Sequence, residues 1–287
     1  MDKGYFIFAQ GKDYIKQAYA LALSIKNTQT IDSVCVAVGN DDIVPTAYKQ
    51  VFDHIVTVQN VGLKYPMANE WQIWDLTPYK ETIHVEADMI FTSNIDWWWQ
   101  DLQQHDLFFT SQVKDYRGNI AKSNFYRKHF DKKSLPKLYN GCYYFRYSET
   151  AHNFFKKAKE VSARYKWYAE YFFAGTWYPE TPTTDEIFGI TAYLLDLDNI
   201  VYNKTHAIPY FTHMKTKLQD WKEVEVPDPN WLRCLPVNLS KKGLSVGGFQ
   251  QTGPFHYQNK LFLTDKMIDT MKEIYNERRT RKSIINV

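Results

Sequence analysis

Short apolar runs alternate with amphipathic stretches over the first 90 residues. The runs are typical of buried strands, and the amphipathic stretches between them are typical of helices. The predicted strands are residues 4–10, 33–39 and 54–59. The predicted helices begin at Asp13, which is suited to cap the first of them, at Pro45 and at Asn69. Strands that alternate with helices in this way predict βαβ units and a mainly parallel, doubly wound sheet.

The next stretch, ETIHVEADMIF over residues 81–91, predicts a fourth strand with an unusual polar face. Its apolar positions are Ile83, Val85, Ala87 and Met89, and its polar positions are His84, Glu86 and Asp88. This period of two is that of a strand. Ligands of open parallel sheets bind beyond the carboxyl ends of the strands, which is where the two carboxylates are expected. The alternative is a solvated edge of the sheet.

The pattern beyond residue 100 is less regular. It predicts strands at 106–112 and 138–147, helices at 149–172 and 181–196, and a final helix from about Thr264. Much of the last ninety residues, including 246–260, is expected to form loops. The predicted fold class is therefore α/β, a mainly parallel central sheet flanked by helices with an irregular C-terminal portion. No repeat or linker divides the 287 residues, so a single domain is expected.

Composition and charge exclude several classes of protein. A net charge of +3 is too mild for a protein built to bind nucleic acid or membranes. Cys35, Cys142 and Cys234 are widely spaced and fit neither a zinc site nor a disulfide framework. No apolar run approaches 18 residues, so no transmembrane segment is expected, and the predicted location is cytoplasmic. An aromatic share of 17% is compatible with an aromatic core or with exposed rings that bind sugars or bases.

Three residues form a candidate metal site. Glu86 and Asp88 offer the oxygen ligands that a divalent cation prefers, and His256 in GPFHYQNK can add a nitrogen. Such a mixed set favours Mn²⁺ over Ca²⁺. Lys260, four residues after His256, can neutralise a diphosphate. Each residue also has an ordinary explanation, since E-x-D recurs by chance and a lone histidine is more often packed or exposed.

Two further segments carry candidate chemistry. In YNG, the glycine indicates a bulge or a close approach of a ligand, and Asn140 can both donate to and accept from sugar hydroxyls. Asp185 and Glu186 can bind a substrate hydroxyl or act as a general base. The alternative for this pair is structural, because a helix dipole favours acidic residues in the first turn and Thr184 is a suitable cap.

Well-known catalytic motifs of other classes are missing from the sequence. GxGxxG, the P-loop, GxSxG and HExxH do not occur, which disfavours dinucleotide oxidoreductases, P-loop NTPases, α/β-hydrolases and zincins. Two other classes stay open. One is a nucleotidyltransferase or pyrophosphorylase, and the other is a non-catalytic module that binds carbohydrate or nucleic acid.

Taken in order, the motifs resemble those of the GT-A-fold glycosyltransferases, especially the glycogenin and bacterial lipopolysaccharide galactosyltransferase group. GYFIFAQGKDYIKQAYALALSIKN resembles the opening strand and helix, and TIHVEADMIFTSNID resembles the D-x-D segment with Glu86 in place of the first aspartate. LYNGCYYF, TDEIFGITAYLLD and GPFHYQNK follow in the order of the family. In two of them the spacing differs: the asparagine and glycine of LYNGCYYF are adjacent, and the interval from histidine to lysine in GPFHYQNK is short.

The resemblance implies a nucleoside-diphosphate sugar as donor, with UDP the commonest nucleotide, and Mn²⁺ or Mg²⁺ as cofactor. The implied metal ligands are Glu86, Asp88 and His256. The implied contacts to the donor nucleotide and its phosphates are Phe8, Ala9, Gln10, Asp13, Glu86 and Lys260. The implied catalytic residues, in contact with the sugar or the acceptor, are Asn140, Asp185 and Glu186. It also divides the chain into a nucleotide-sugar-binding half at 1–112, an acceptor half at 113–262, and a C-terminal helix and tail at 263–287.

The sequence leaves two alternatives each for the acceptor and for the stereochemistry of transfer. A glycan is the first choice of acceptor, and a hydroxylated base in phage-type DNA is the second, for which the basic loop 126–133 and the arginine-rich end would supply phosphate contacts. Trp97, Trp98 and Trp99, with the loop 114–137, can form an acceptor platform or pack in the core. A glycogenin-like enzyme would retain the anomeric configuration, whereas a base at Asp185 or Glu186 would invert it.

Overall fold

A six-stranded, mainly parallel sheet forms the centre of the molecule. The computed structural model describes residues 2–59, 66–121, 128–197, 210–219, 221 and 230–285. The strands of the central sheet are β1 (Lys3–Phe8), β2 (Val34–Gly39), β3 (His54–Val58), β4 (Glu81–Val85), β6 (Leu107–Thr110) and β7 (Tyr139–Arg146). Their order is β3-β2-β1-β4-β7-β6. The first four strands in this order are parallel, and β7 runs antiparallel to both β4 and β6.

Two small sheets lie outside the central one. The first has the order β5-β12-β8 and consists of β5 (Met89–Phe91), β12 (Pro254–His256) and β8 (Thr212–His213). The second is an antiparallel set of β9 (Val237–Ser240), β10 (Gly243–Val246) and β11 (Phe249–Gln250). The prediction that 246–260 is all loop is therefore wrong. Strands of two or three residues show no period of two, so only their pairing partners reveal them.

The helices lie on both faces of the central sheet. Within the described residues they are α1 (Lys12–Thr28), α2 (Thr46–Lys49), α3 (Ile73–Leu76), α4 (Trp97–Leu102), α5 (Lys128–Asp131), α6 (Glu149–Ala163), α7 (Tyr165–Phe173), α8 (Thr184–Leu194), α9 (Thr216–Gln219) and α10 (Asp265–Ile285). The single helix predicted over 149–172 is wrong. The backbone leaves the helical conformation at Arg164, with φ −118° and ψ 26°, and so separates α6 from α7.

The first helix begins differently from the sequence prediction. Gly11 occupies the N-cap position with φ 98°, a conformation that glycine adopts without a steric penalty, and Asp13 lies in the first turn instead. Asp42 fixes this turn, because its Oδ2 accepts hydrogen bonds of 2.8 Å from the N–H groups of both Gly11 and Gly39. The carboxyl ends of β1 and β2 are thereby held together.

Alternate side chains of the sheet enter two separate cores. Tyr5 and Ile7 face the core that contains α1 and α10, whereas Phe6 faces the core that contains α6, α7 and α8. His84, on the polar face of the predicted strand, is also buried, and its ring lies beside Tyr143. Burial lowers the pKa of His84 to about 3, with weak opposition from the Phe6 backbone. Both faces of β4 are therefore covered, as expected for parallel strands.

No helix within the described residues combines the length and the apolar character that a membrane span needs. Aromatic side chains are abundant in both cores, and in the core beside α6 and α8 Phe109, Tyr143, Phe154, Phe155 and Phe188 pack mostly edge to face.

Candidate active site

Glu86 and Asp88 lie in a turn between two sheets. β4 ends at Val85, and the chain then leaves the central sheet to form β5, which belongs to a different sheet. The continuous strand predicted over 81–91 is therefore wrong, because the connection between the two sheets interrupts it. The Glu86 N–H still donates to the Gly141 carbonyl at 3.1 Å, which anchors the start of the turn to β7. Both carboxylates lie at the carboxyl end of β4, as expected.

His256 reaches the same turn through strand pairing. β12 runs antiparallel to β5 with His256 opposite Met89, the residue after Asp88. The Tyr257 N–H donates to the Asp88 carbonyl at 3.1 Å and continues this pairing. On its other side β12 pairs with β8, which places His256 opposite His213. The two imidazole rings stack with their centroids 4.3 Å apart. One short strand thus brings together His256 and Asp88, which are 168 residues apart in the sequence.

The three predicted metal ligands form one cluster. His256 Nε2 lies 3.0 Å from Asp88 Oδ1, and His256 Nδ1 lies 3.4 Å from Glu86 Oε2. The second contact has an ion-pair distance but poor hydrogen-bond geometry, since Nδ1 is buried without a hydrogen-bond partner among the described residues. One ligand atom from each of the three residues lies within 4.8 Å of the others.

The charges in this cluster perturb one another. Burial acts to lower the pKa of His256, but the carboxylates of Asp88 and Glu86 outweigh it and raise that pKa to about 9. Burial acts to raise the pKa of Asp88, and the attraction to His256 and a smaller contribution from Lys260 lower it overall. Without a metal ion, the cluster is therefore an imidazolium between two carboxylates at neutral pH.

The cluster suits a divalent metal ion. Two carboxylates and an imidazole are the donors that Mn²⁺ accepts readily, and Mg²⁺ is suited to the oxygen ligands. Gly141 leaves space beside them, because a Cβ atom at this position would lie 2.9 Å from Glu86 Oε2 and 3.1 Å from the terminal methyl of Met89. Any larger residue there would displace the Glu86 carboxylate. The residues present thus fit the predicted metal site.

A cleft of about 480 Å³ extends from this cluster. Its volume lies in the range of small-molecule sites. Seven of the residues predicted from the sequence line it, namely Phe8, Gln10, Glu86, Asp88, Asn140, Asp185 and His256. They come from β1 and the connection that follows it, the β4–β5 turn, β7, α8 and β12, so the predicted donor and sugar contacts largely share one cavity.

Four predicted residues are not part of the lining. Ala9 is buried and its N–H donates to the Ala37 carbonyl within the sheet, while Asp13 is exposed in the first turn of α1. Lys260 is exposed at the rim, where its Nζ lies 4.5 Å from the centroid of the Tyr14 ring. Glu186 is the fourth.

Glu186 has a structural role. Thr183, and not Thr184 as predicted, caps α8, and Glu186 accepts a 3.0 Å hydrogen bond from the Thr183 N–H in a capping box. Its other oxygen, Oε1, lies 3.2 Å from His129 Nε2, and the side chain is buried. These contacts support a structural role for Glu186, and its catalytic role stays a prediction. The neighbouring Asp185 lines the cleft.

Asp185 and Glu70 hold Asn140 from two sides. The Asn140 N–H donates to Asp185 Oδ1 at 2.7 Å, and Asn140 Nδ2 donates to Glu70 Oε2 at 2.6 Å. Although Glu70 as a whole is half-buried, enclosure of its carboxyl group raises the pKa to about 8. The nearby carboxylates of Glu86 and Asp185 add to this shift, and hydrogen bonds from Thr184 and Asn140 oppose it.

Several residues of the lining were not foreseen from the sequence. They are Tyr14, Glu70, Tyr139, His213, Lys215 and Gln258. Lys215 is a cation of the cleft and opposes protonation of His256. Tyr14, Tyr139 and Gln258 lie within the segments that resemble the family, but the resemblance assigned them no role. Glu70, His213 and Lys215 lie outside those segments. For Glu70, the only local signal is its position in a predicted helix directly before the fourth strand.

The tryptophans at 97–99 do not line the cleft. Trp98 and Trp99 are buried, and the Trp99 ring packs edge-on against Tyr5. Lys3, at the amino end of β1, lies over the same ring at 5.8 Å. Since the cleft is at the carboxyl end of β1, an acceptor platform made of all three rings is wrong. Core packing is confirmed for Trp98 and Trp99, and Trp97 is 53% exposed.

Comparisons with known proteins show a similarity at the level of the fold. No protein-family model and no curated protein sequence matches the chain. Among solved structures, mouse xyloside xylosyltransferase 1 in its apo form is similar over 89% of this chain and 97% of its own, at 8% identity and a TM-score of 0.50. The glycosyltransferase GlyE of Streptococcus pneumoniae TIGR4 is similar over 98% of this chain, at 13% identity and a TM-score of 0.48 in its apo form. A second GlyE structure gives 11% identity and a TM-score of 0.49.

The chain spans 64% of the length of the apo GlyE structure. At these identities the likeness shows the fold alone, and the fold is that of a GT-A glycosyltransferase. The predicted fold class, with its mainly parallel central sheet flanked by helices, is thereby confirmed. The finer placement in the glycogenin and lipopolysaccharide galactosyltransferase group stays a prediction, as does the division at residues 112 and 262.

Proposed function

We propose that this protein is a metal-dependent glycosyltransferase that moves a sugar from a nucleoside-diphosphate sugar, with UDP as the nucleotide, to a hydroxyl of an acceptor glycan. The observation that carries the proposal is the convergence of Glu86, Asp88 and His256 at the carboxyl edge of the sheet, in a fold shared with glycosyltransferases. The ligand-binding edge of a parallel sheet is also where the 480 Å³ cleft opens.

Glu86, Asp88 and His256 would hold Mn²⁺ or Mg²⁺. When bound, the ion would offset the negative charge that develops on the leaving nucleoside diphosphate. Lys215, in the lining, and Lys260, beside Tyr14 of the lining, add positive charge to this region. Both lysines are close enough to influence the titration of the cluster, so both are placed to attract a diphosphate.

The nucleoside would lie along β1 and the start of α1. Phe8 and Tyr14 offer aromatic faces in the lining, and the Gln10 side chain offers an amide donor and acceptor. An aromatic face binds a base by stacking, and an amide can read a base edge or a ribose hydroxyl. Of the two other predicted contacts in this region, Ala9 serves the sheet and Asp13 lies outside the cleft.

The transferred sugar and the acceptor would lie beside Asn140 and Asp185. Asp185 Oδ1 is held by the Asn140 N–H, which fixes the carboxylate in the cleft wall. In this position it would accept a hydrogen bond from a sugar hydroxyl, or take the proton of the attacking hydroxyl, in which case the configuration would be inverted. Retention stays a prediction of the resemblance, and analysis of the anomeric product by NMR distinguishes the two.

A glycan is the acceptor that we propose. The second choice, a hydroxylated base in DNA, has no supporting observation in the described residues. The first two residues of the basic loop assigned to it, 126 and 127, lie outside the described residues. The predicted cytoplasmic location also stays a prediction.

The proposal is tested by nucleotide release. Release of nucleoside diphosphate from a panel of UDP, GDP and dTDP sugars would be measured with and without Mn²⁺, for the native chain and for Asp88→Asn. We expect Mn²⁺-dependent release of UDP from at least one donor, and a loss of about 100-fold or more in Asp88→Asn. Asp101→Asn, the same change at an exposed residue of α4, is the matched control.

Two outcomes would count against the proposal. No release from any donor, or release that Asp88→Asn leaves intact, would refute it. Formation of pyrophosphate from a nucleoside triphosphate and a sugar phosphate would instead favour the nucleotidyltransferase alternative. Binding of saccharide without any turnover would favour the non-catalytic module.

A further inference from the structure

Glu70 is a carboxyl group of the cleft to which neither the sequence motifs nor the proposed metal cluster assigns a role. It lies in the 3-10 helix Pro66–Gln72, which precedes α3. Three contacts fix this helix to the rest of the molecule. The Ser162 hydroxyl donates to the Ala68 carbonyl at 2.6 Å, the Thr184 hydroxyl donates to the Met67 carbonyl at 3.1 Å, and the Gln72 amide pairs with the Gln59 backbone. Glu70 is thus presented from a rigid support.

The Glu70 carboxyl group is linked to Asp185 through Asn140. The Asn140 N–H donates to Asp185 Oδ1 at 2.7 Å, and its Nδ2 donates to Glu70 Oε2 at 2.6 Å. The next residue, Gly141, lies against the metal cluster, because a Cβ atom there would be 2.9 Å from Glu86 Oε2. In a glycosyltransferase that uses such a cluster, the transferred sugar must lie between the diphosphate and the acceptor. Glu70 and Asn140 line the cleft together with Glu86 and Asp185, so they are placed beside that sugar.

A second observation also points to a ligand at this place. Asn140 is only 4% exposed, and its Nδ2 is committed to Glu70. Its Oδ1 has no hydrogen-bond partner among the described residues, although Asn140 lines the cleft. A buried carbonyl oxygen without a partner is unfavourable, and a ligand hydroxyl would supply the missing hydrogen bond.

We propose that Glu70 binds a hydroxyl of the transferred sugar and so determines which donor sugars the protein accepts. The inference rests on the proposed function. Asn140 Nδ2 holds one carboxyl oxygen, Oε2, at 2.6 Å and thereby fixes the plane of the group. The other oxygen of the carboxyl group and Asn140 Oδ1 then bind ring hydroxyls of the sugar. The substrate class is a nucleotide sugar that carries a free hydroxyl at the contacted carbon, in preference to one that is deoxy or N-acetylated there.

Deoxy donors test this contact directly. For the native chain, kcat/KM would be measured with the best donor and with analogues that lack one ring hydroxyl each. We expect discrimination of about 10- to 100-fold against the analogue that lacks the contacted hydroxyl, because a polar group of the site is then left unpaired. Glu70→Ala should lower kcat/KM for the parent donor by a similar factor. In this variant, the kcat/KM values for the parent donor and for that one analogue should agree within about threefold.

Discrimination at the other ring positions should survive in Glu70→Ala. A variant damaged only in its structure would lose activity without losing selectivity at one carbon. Glu180→Ala, a change at an exposed glutamate outside the cleft lining, is the matched control and should keep the native pattern. The affinity for UDP with Mn²⁺ should stay within about threefold of native in both variants, because Glu70 contacts the sugar and not the nucleotide.

Failure of the inference and failure of the proposed function are distinguishable. If the native chain turns over no nucleotide sugar, the proposed function is wrong. If it turns over a donor, and Glu70→Ala keeps the native discrimination at every ring position, only the assignment of Glu70 is wrong. If Glu70→Ala does not fold, Glu70→Gln supports the same comparison, with reduced discrimination expected at the same carbon and unchanged discrimination refuting the contact.

Discussion

Metal binding to this protein should be a competition with one proton on His256. In the absence of a metal ion, Asp88 at 3.0 Å and Glu86 at 3.4 Å stabilise the imidazolium, and the pKa of His256 is raised to about 9. An imidazole must be neutral to ligate a metal ion. At pH 7, two units below this pKa, the apparent affinity should therefore be roughly 100-fold weaker than at a pH above 9.

The assay is calorimetric titration of Mn²⁺ into the metal-free protein between pH 6 and pH 8. The apparent association constant should rise by about tenfold for each pH unit over this range. Repeating each titration in two buffers with different ionisation enthalpies counts the protons released, and we expect about one for each ion bound at pH 7. Asp88 contributes no slope here, because its pKa is lowered from its ordinary value and lies far below this range.

The control separates His256 from other titrating groups. His256→Ala should bind Mn²⁺ more weakly, and its affinity should no longer depend on pH between 6 and 8. His152→Ala, a change at an exposed histidine of α6, should behave like the native chain. An affinity that is flat with pH in the native chain, or proton release that persists in His256→Ala, would refute the reasoning.

Two other predictions concern the support of the site. Gly141→Ala should weaken Mn²⁺ binding about tenfold in the same titration, because the new Cβ would lie 2.9 Å from Glu86 Oε2. It should lower the free energy of unfolding by only about 1–2 kcal/mol. Native affinity for Mn²⁺ in this variant would contradict the prediction. Glu186→Ala should lower the free energy of unfolding in urea by about 2–4 kcal/mol, since it removes a buried acceptor from Thr183 and His129. An unchanged urea midpoint with lost activity would instead favour the catalytic role expected from the sequence.

Hydrophobic pattern alone was sufficient for the first three strands of the central sheet. β1, β2 and β3 lie where apolar runs predict them, and the helix–strand alternation predicts a parallel sheet. β1 and β2 are buried on both faces, so each appears in the sequence as a nearly continuous apolar run of strand length. The edge of the sheet at which Glu86 and Asp88 emerge follows from the same topology.

The hydrophobic pattern did not predict elements that form only by pairing with a strand distant in the sequence. β12 has three residues and no period, yet its pairing with β5 places His256 beside Asp88. The break in the predicted fourth strand after Val85 has the same cause, since the chain there passes from one sheet to another. Glu186 and Asp185 are adjacent in sequence, and only the capping box and the contact with His129 distinguish the first from the second.

By itself, then, the sequence determined the sheet, its ligand-binding edge and the chemical types of the residues that meet there. The tertiary structure alone decided which of them share one cleft, and it added Glu70 and Lys215, which no motif marks. The physical reason is one of range. Period and capping act over a few residues and can be read locally, whereas a site is assembled from loops and short strands whose positions depend on packing between segments far apart in the chain.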